Sequence, residues 1–272
     1  AFYGLRNAET PIPKLIGVIG TNGKTTVAWL LRSIFKAAGW RAGLLGTVEY
    51  DVVGRRLSAP LTTPGPIDIC ELLAHARDAG AQCMALEVSS HALDQKRTDG
   101  LNFAAAVFTN LTGDHLDYHG TEDAYFAAKR RLFEQLTPGA AAIVNLDDAK
   151  AESLLRSTSA RPRTYSFSNP AADVSARSIA TTRTGSRFTL RTSRGEAIVQ
   201  LPLVGEYNVA NALAAASAAE ALGVEIGAIQ SGLESIAGVP GRLQRVEPQG
   251  WPFSVLVDYA HSDDALRNVL RA

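Results

Sequence analysis

Leu15-Ile16-Gly17-Val18-Ile19-Gly20-Thr21-Asn22-Gly23-Lys24-Thr25-Thr26 decides the architecture of this 272-residue chain. Residues 15–19 are apolar save for Gly17 and read as a buried strand, whereas residues 24–38 carry the spacing of an amphipathic helix. The turn between them suits an anion. Glycine lets the backbone curl so that successive amide N–H groups converge on one point, and the helix N-terminus adds its partial positive charge. In such a turn Gly20, Thr21, Asn22, Gly23, Lys24, Thr25 and Thr26 cradle a nucleotide, with Lys24 reaching the β and γ phosphates and the Thr25 hydroxyl ligating Mg²⁺. The early glycine of the pattern G-x-x-x-x-G-K-[ST] would fall on Val18, so this is a shortened form of the loop.

Outward from that unit, short apolar runs alternate with helical patterns, the mark of a parallel sheet flanked by helices. Further strands are expected at 43–48, 83–88, 104–109, 141–145 and 164–167, and helices at 67–79, 122–136 and 148–157. Val53-Gly54-Arg55 suggests a small hairpin over 51–59. From 174 to 203 the pattern becomes alternating, which predicts antiparallel strands added to the sheet or packed beside it. Helices are expected at 209–222 and 226–236. Gly238, Pro240 and Gly241 then interrupt the pattern as a linker does. Residues 244–246 and 254–258 read as the first strands of a second, Rossmann-like α/β unit, with a helix over 263–271. The expected fold is thus α/β: a P-loop, mostly parallel sheet flanked by helices with a small antiparallel addition, a first domain over 1–239 and the beginning of a second over 240–272. The chain starts at Ala1 without a methionine and stops inside an expected helix, as a piece of a longer protein does.

Composition narrows the function. Lys+Arg and Asp+Glu both number 27, so no global field draws nucleic acid or an anionic membrane, and any anion must be held by local geometry. No apolar run reaches the ~20 residues of a membrane helix, and the first residues lack the order of a signal peptide; the chain reads as cytoplasmic. Cys70 and Cys83 sit in apolar contexts without metal-ligand spacing and read as buried thiols without chemistry.

If phosphates sit at the carboxyl end of the first strand, neighbouring strand ends supply metal ligands there. The strand at 83–88 delivers Glu87 followed by Ser89-Ser90-His91, and the strand at 104–109 runs into Asn110-Leu111-Thr112-Gly113-Asp114-His115. A carboxylate ending an apolar strand is costly to bury unless paired, so Glu87 facing a cation is attractive. His115, on a loop, gains interest only from that company. Lys129, in Tyr125-Phe126-Ala127-Ala128-Lys129-Arg130-Arg131, reads by itself as part of a solvated basic turn; held neutral, its amine could capture CO2 as a carbamate.

Taken together, the motifs resemble the Mur ligase family. Gly20 to Thr26, Leu61-Thr62-Thr63-Pro64, Leu86-Glu87-Val88-Ser89-Ser90-His91-Ala92-Leu93, Thr109-Asn110-Leu111, Asp114-His115-Leu116-Asp117-Tyr118-His119-Gly120, Ala127-Ala128-Lys129, Gly205-Glu206-Tyr207-Asn208 with Asn211, and Asp258-Tyr259-Ala260-His261 occur in the family's order. The Thr-Thr-Pro and Glu-Val-Ser-Ser-His segments look most like the MurE-type branch, which adds the third peptide residue to UDP-N-acetylmuramoyl-L-alanyl-D-glutamate through an acyl phosphate. The resemblance implies a central ATPase domain and the opening of a closing domain, without the leading domain that grips the uridine diphosphate. It implies Lys24, Lys129 and His115 as catalytic groups; Thr25, Glu87, His115 and carbamylated Lys129 as ligands for two Mg²⁺; Asn208 and Asn211 near adenine; and Arg242, Asp258 and His261 reaching ATP when the domains close. Thr62, Thr63, Ser89, Gln95 and Arg97 match positions that contact the muramoyl peptide. The implied partners are that peptide and a free amino acid, acting on a monomer, with neither nucleic acid nor membrane insertion. Folylpolyglutamate and cyanophycin synthetases, which share the core, are the rival enzymes, and a nucleotide-binding fragment without turnover is the rival from another class.

Overall fold

The computed structural model describes residues 12–246, 253 and 255–272. Its first strand, β1 (Lys14–Ile19), is buried at every residue but the first, and it leads through Gly20 to Gly23 into helix α1 (Lys24–Ala37). Gly23 takes a left-handed φ of 89° at the start of that helix, a conformation open to glycine at no steric cost. Next in the chain, β2 (Ala42–Leu45) pairs antiparallel with β3 (Glu49–Asp51), which pairs with β4 (Arg56–Ser58). The hairpin expected at 51–59 is therefore present, but it extends the main sheet. The strand expected at 43–48 stops at Leu45, because Gly46 N turns to Glu49 O and Thr47 leaves the ladder to bind Glu87.

Helix α2 (Pro66–Asp78) returns the chain to β5 (Cys83–Glu87), which lies parallel to β1 with Val18 opposite Glu87. The short helix α3 (Ser90–Asp94) follows, capped by the Ser89 hydroxyl, then β6 (Phe103–Phe108) on the other side of β1. Helices α4 (Leu116–His119) and α5 (Glu122–Glu134) precede β7 (Ala141–Asn145); α6 (Ala151–Arg156) precedes β8 (Arg161–Ser166). Strand β9 (Val174–Thr182) joins β8 in parallel, and β10 (Gly185–Thr192) and β11 (Gly195–Leu201) continue antiparallel. The sheet thus has eleven strands in the order β11-β10-β9-β8-β7-β6-β1-β5-β2-β3-β4, so of the two arrangements open for residues 174–203 the strands add to the sheet.

Helices α7 (Glu206–Ala221) and α8 (Ile226–Glu234) cover one face together with α1, and α2, α5 and α6 cover the other. Each face carries its own continuous apolar cluster, the Leu30, Leu31 and Ile34 side chains of α1 filling the first. Gly232 of α8 abuts α1 so closely that a Cβ there would lie 2.3 Å from Ile34 Cα. The outer strand β11 does not leave its edge bare: Gln230 donates to Ile198 O at 2.8 Å and Glu234 accepts from Gln200 N at 2.9 Å.

Past Gly238 and Gly241, both at positive φ, β12 (Gln244–Val246) and β13 (Val255–Val257) form a separate antiparallel pair, and α9 (Asp263–Arg271) follows with Ser262 as its cap. Ser254, the expected start of the last strand, and residues 1–11 of the expected first domain lie outside the described residues. Among the described residues no helix is long and apolar enough to cross a membrane.

Candidate nucleotide and metal site

Three adjacent parallel strands end at one rim. β1 delivers the phosphate turn, β5 delivers Glu87, and β6 delivers Thr109 and Asn110, which strap the turn in place. Thr21 N donates to Asn110 O and Asn22 N to Asn110 Oδ1, both at 2.9 Å, while Thr109 Oγ1 donates to Asn22 O at 2.6 Å. A Cβ on Gly20 would lie 1.8 Å from Thr109 Oγ1, which is why glycine stands there. The start of α1 has no side-chain cap and no acidic residue in its first turn, so its N–H groups and dipole remain directed at the cavity.

Lys24 Nζ curls back to donate to Gly20 O at 2.9 Å and Thr21 O at 2.8 Å. Burial lowers its pKa from the ordinary lysine value, with nearby Glu87 opposing that shift. Thr25 Oγ1 donates to Glu87 Oε2 at 2.9 Å. Glu87 is 0% exposed, and its other side-chain partners are the amide and hydroxyl of Thr47, at 2.9 and 3.0 Å. A buried carboxylate bonded, among the described residues, only to neutral donors, beside a threonine hydroxyl and a glycine turn at a helix start, is a donor set that fits a hard divalent cation. Among the described residues no three His, Cys, Asp or Glu side chains gather for a metal. A magnesium ion here would draw its remaining ligands from Thr25, from nucleotide phosphates and from water, which is how Mg²⁺ is commonly held.

These groups open onto a cavity of about 490 Å³ lined by Thr21 through Thr26, Glu87 and His115. Thr62, Thr63, Ser89 and Arg97 line the same space, as do Asn208, Asn211, Arg242, Asp258 and His261. Asn211 Oδ1 lies against the phosphate turn, 2.4 Å from where a Cβ on Gly23 would be, and Asn211 donates to Asn208 Oδ1 at 3.2 Å. Arg242 Nη2 donates to Thr25 Oγ1 at 3.0 Å. Asp258 is engaged by the backbone of Leu243 and Ala260. Thr63 Oγ1 donates to Glu87 O at 2.8 Å and accepts from Ser89 N, and Arg97 Nη1 donates to Thr63 O at 2.9 Å. Gln95 stands outside the lining, its side-chain oxygen accepting from Arg97 Nε at 3.0 Å.

His115 adopts a left-handed φ of 50° at the start of α4, uncommon for a residue with a side chain. Its ring lies 5.0 Å from that of His91. Burial lowers its pKa first, and His91, Lys24 and Lys129 reinforce this against Asp114. Lys129 departs from the solvated basic turn that its neighbours suggest. It is 2% exposed, with its ammonium 4.0 Å from the Tyr125 ring centroid and no hydrogen bond or ion pair among the described residues. Burial, reinforced by Lys24, holds its pKa well below the ordinary value. Tyr125 in turn meets Thr21 Oγ1 at 3.3 Å, so Lys129 sits just beneath the phosphate turn.

Residues 18–219 match the family model of the Mur ligase middle domain. The chain belongs to the Mur ligase family. It is 44% identical over 258 residues to a UDP-N-acetylmuramoyl-L-alanyl-D-glutamate--2,6-diaminopimelate ligase of Solibacter usitatus, covering 94% of this chain and 52% of that protein. A relative of the same name from Synechococcus elongatus is 44% identical over 273 residues, 100% of this chain and 54% of its own length. Among solved structures, one of a UDP-N-acetylmuramoyl-L-alanyl-D-glutamate--2,6-diaminopimelate ligase superposes with a TM-score of 0.84 at 34% identity, covering 99% of this chain and 55% of that one. MurF from Acinetobacter baumannii superposes at 0.81 with 24% identity, over 99% and 56% of the two chains, and shares the fold. This Mur ligase chain therefore spans about half the length of the curated relatives it matches.

Thr47, His91, Asn110 and Asp264 also line the cavity, without a role assigned from sequence. Asn110 and His91 lie inside motifs that the sequence displays, so the motifs themselves were signal enough. Thr47 follows a strand with no pattern around it, and only the pairing of β2 with β5 reveals its position.

Proposed function

We propose that this chain is the nucleotide-handling core of a ligase that adds the third amino acid to UDP-N-acetylmuramoyl-L-alanyl-D-glutamate, with ADP and phosphate as products. The observation that carries this reading is the junction of Thr25 with buried Glu87 across the ends of adjacent strands β1 and β5, beside an uncapped helix start. Bound there, ATP supplies the phosphoryl group that makes the substrate carboxyl an acyl phosphate, and magnesium offsets its charge. The turn's amides and Lys24 orient the phosphates. Glu87 and Thr25 would hold one ion, with His115 lining the same cavity. Lys129, its pKa lowered by burial beneath the turn, would have the chemistry to take up CO2 and serve a second ion as a carbamate. Arg97, anchored on Thr63, with Thr62 and Ser89 faces the muramoyl peptide; Asn208, Asn211, Arg242, Asp258 and His261 face the nucleotide.

Residues 1–239 form the ATP-binding domain and 240–272 open the closing one, hinged near Gly238 and Gly241; closure excludes water from the acyl phosphate. The names of the 40–44% identical relatives support 2,6-diaminopimelate as the amine, and the demand for ATP suits the cytoplasm, where ATP is made. Phosphate release by a full-length protein carrying this chain tests the reading. It should require both the muramoyl dipeptide and diaminopimelate, remain absent with folate substrates, and fall about 100- to 1,000-fold in Lys24→Ala, as loss of charge stabilisation at a transferring phosphoryl predicts. Undiminished turnover in that variant overturns the assignment.

A further inference from the structure

Two threonines face the Glu87 carboxylate, and the one outside the phosphate loop belongs to no motif. β2 and β5 run parallel with Leu45 opposite Leu86, so the next residues, Gly46 and Thr47, stand level with Glu87. Gly46 makes room: a Cβ there would lie 2.1 Å from Glu87 Oε1. Thr47 fills both sides of the carboxylate, its amide donating to Oε1 at 2.9 Å and its hydroxyl to Oε2 at 3.0 Å. The same hydroxyl lies 3.1 Å from Thr62 Oγ1. A hydroxyl has one proton, and the carboxylate has none to give, so Thr47's proton goes to Glu87 and Thr62 must donate to Thr47. Donation therefore runs in one direction, from Thr62 to Thr47 to Glu87, where the chain meets Thr25 donating from the phosphate turn.

We propose that Thr47 is a positioning residue: it fixes the Glu87 carboxylate in one orientation toward the metal and ties that orientation to its neighbour Thr62 in the lining of the cavity. This deepens the reading above and rests on it. A carboxylate held by two donors from one residue cannot rotate without losing both, so its free lone pairs keep a constant direction. Groups that orient a metal ligand from behind typically cost 10–100-fold in metal affinity when removed.

Thr47→Val keeps the amide and the shape but removes the hydroxyl, whereas Thr47→Ser restores it. Calorimetric titration of the 272-residue chain with ATP over a range of MgCl2 concentrations reads the Mg²⁺ midpoint directly, and ATP in EDTA reads nucleotide affinity without the ion. For Thr47→Val the midpoint should rise about tenfold with affinity in EDTA unchanged, while Thr47→Ser should stay within about twofold of the parent on the same principle. Thr62→Val, which breaks the relay at its outer end, should move the midpoint in the same direction by a smaller factor; it decides the question if Thr47→Val fails to melt cooperatively. A parental midpoint in Thr47→Val, or in Thr62→Val where the former does not fold, overturns the role of Thr47 alone. A parent chain that shows no Mg²⁺-dependent ATP binding overturns the nucleotide site itself.

Discussion

Lys129 is enclosed beneath the phosphate turn with an aromatic face for company, and burial holds its pKa well below the ordinary value of 10.5. Between that lowered native value and 10.5 the unfolded chain binds more protons than the native one, so this lysine makes stability rise with pH across that window and leaves it flat above. Lys129→Met abolishes the contribution while keeping the volume. In CO2-depleted buffer the melting temperature of the parent should therefore climb relative to the variant from about pH 8 to about pH 10; parallel curves would show that the amine is not desolvated. At this scale the sequence was partly legible. Lys24, Thr25 and Glu87 announce themselves because a glycine turn and a strand-ending carboxylate have few other uses. Lys129 does not, since Arg130 and Arg131 beside it mimic a solvated face, and only the packing of α5 turns it inward. Cys83 agrees with its sequence reading: burial pushes the thiol up to about 12, which leaves it without nucleophilic character.

Elements hold these residues in register through backbone-level contacts. Helix α1 is wedged between the sheet and α8, with Gly232 against the Ile34 backbone. A methyl group there meets backbone at 2.3 Å, and backbone cannot swing aside as a side chain can. Gly232→Ala should cost about 1–3 kcal/mol in a denaturant titration; an unchanged midpoint would mean that α8 slides freely on α1. Strand positions were readable where runs are apolar on both faces, as in β1, β5 and β7, because a central parallel strand is buried on each side. Their ends were less so. The start of α6 is delayed to Ala151 because Asp148 accepts from Leu111 N and Lys150 N, uses that no local pattern displays. Helix α3 and helix α4 were hidden in motif segments, being too short for a hydrophobic period to register.

For the whole molecule, equal numbers of acidic and basic residues mean that the cavity draws its anion by geometry. MgATP affinity should then change by less than about threefold between roughly 0.05 and 0.2 M salt, because short-range contacts inside a cavity are little screened. A tenfold loss in calorimetry would point to a diffuse field that the charge balance denies. The order of strands was not readable, since sequence spacing says nothing about which strand lies beside which; yet that order brings residues 40 apart, such as Thr47 and Glu87, into contact. The same sheet ends at β11, whose outward backbone groups at Ile198 and Gln200 are occupied by Gln230 and Glu234. An uncovered margin of that length is a template on which a second chain can polymerise. Two side chains of a surface helix thus occupy backbone groups on which a second copy could otherwise pair.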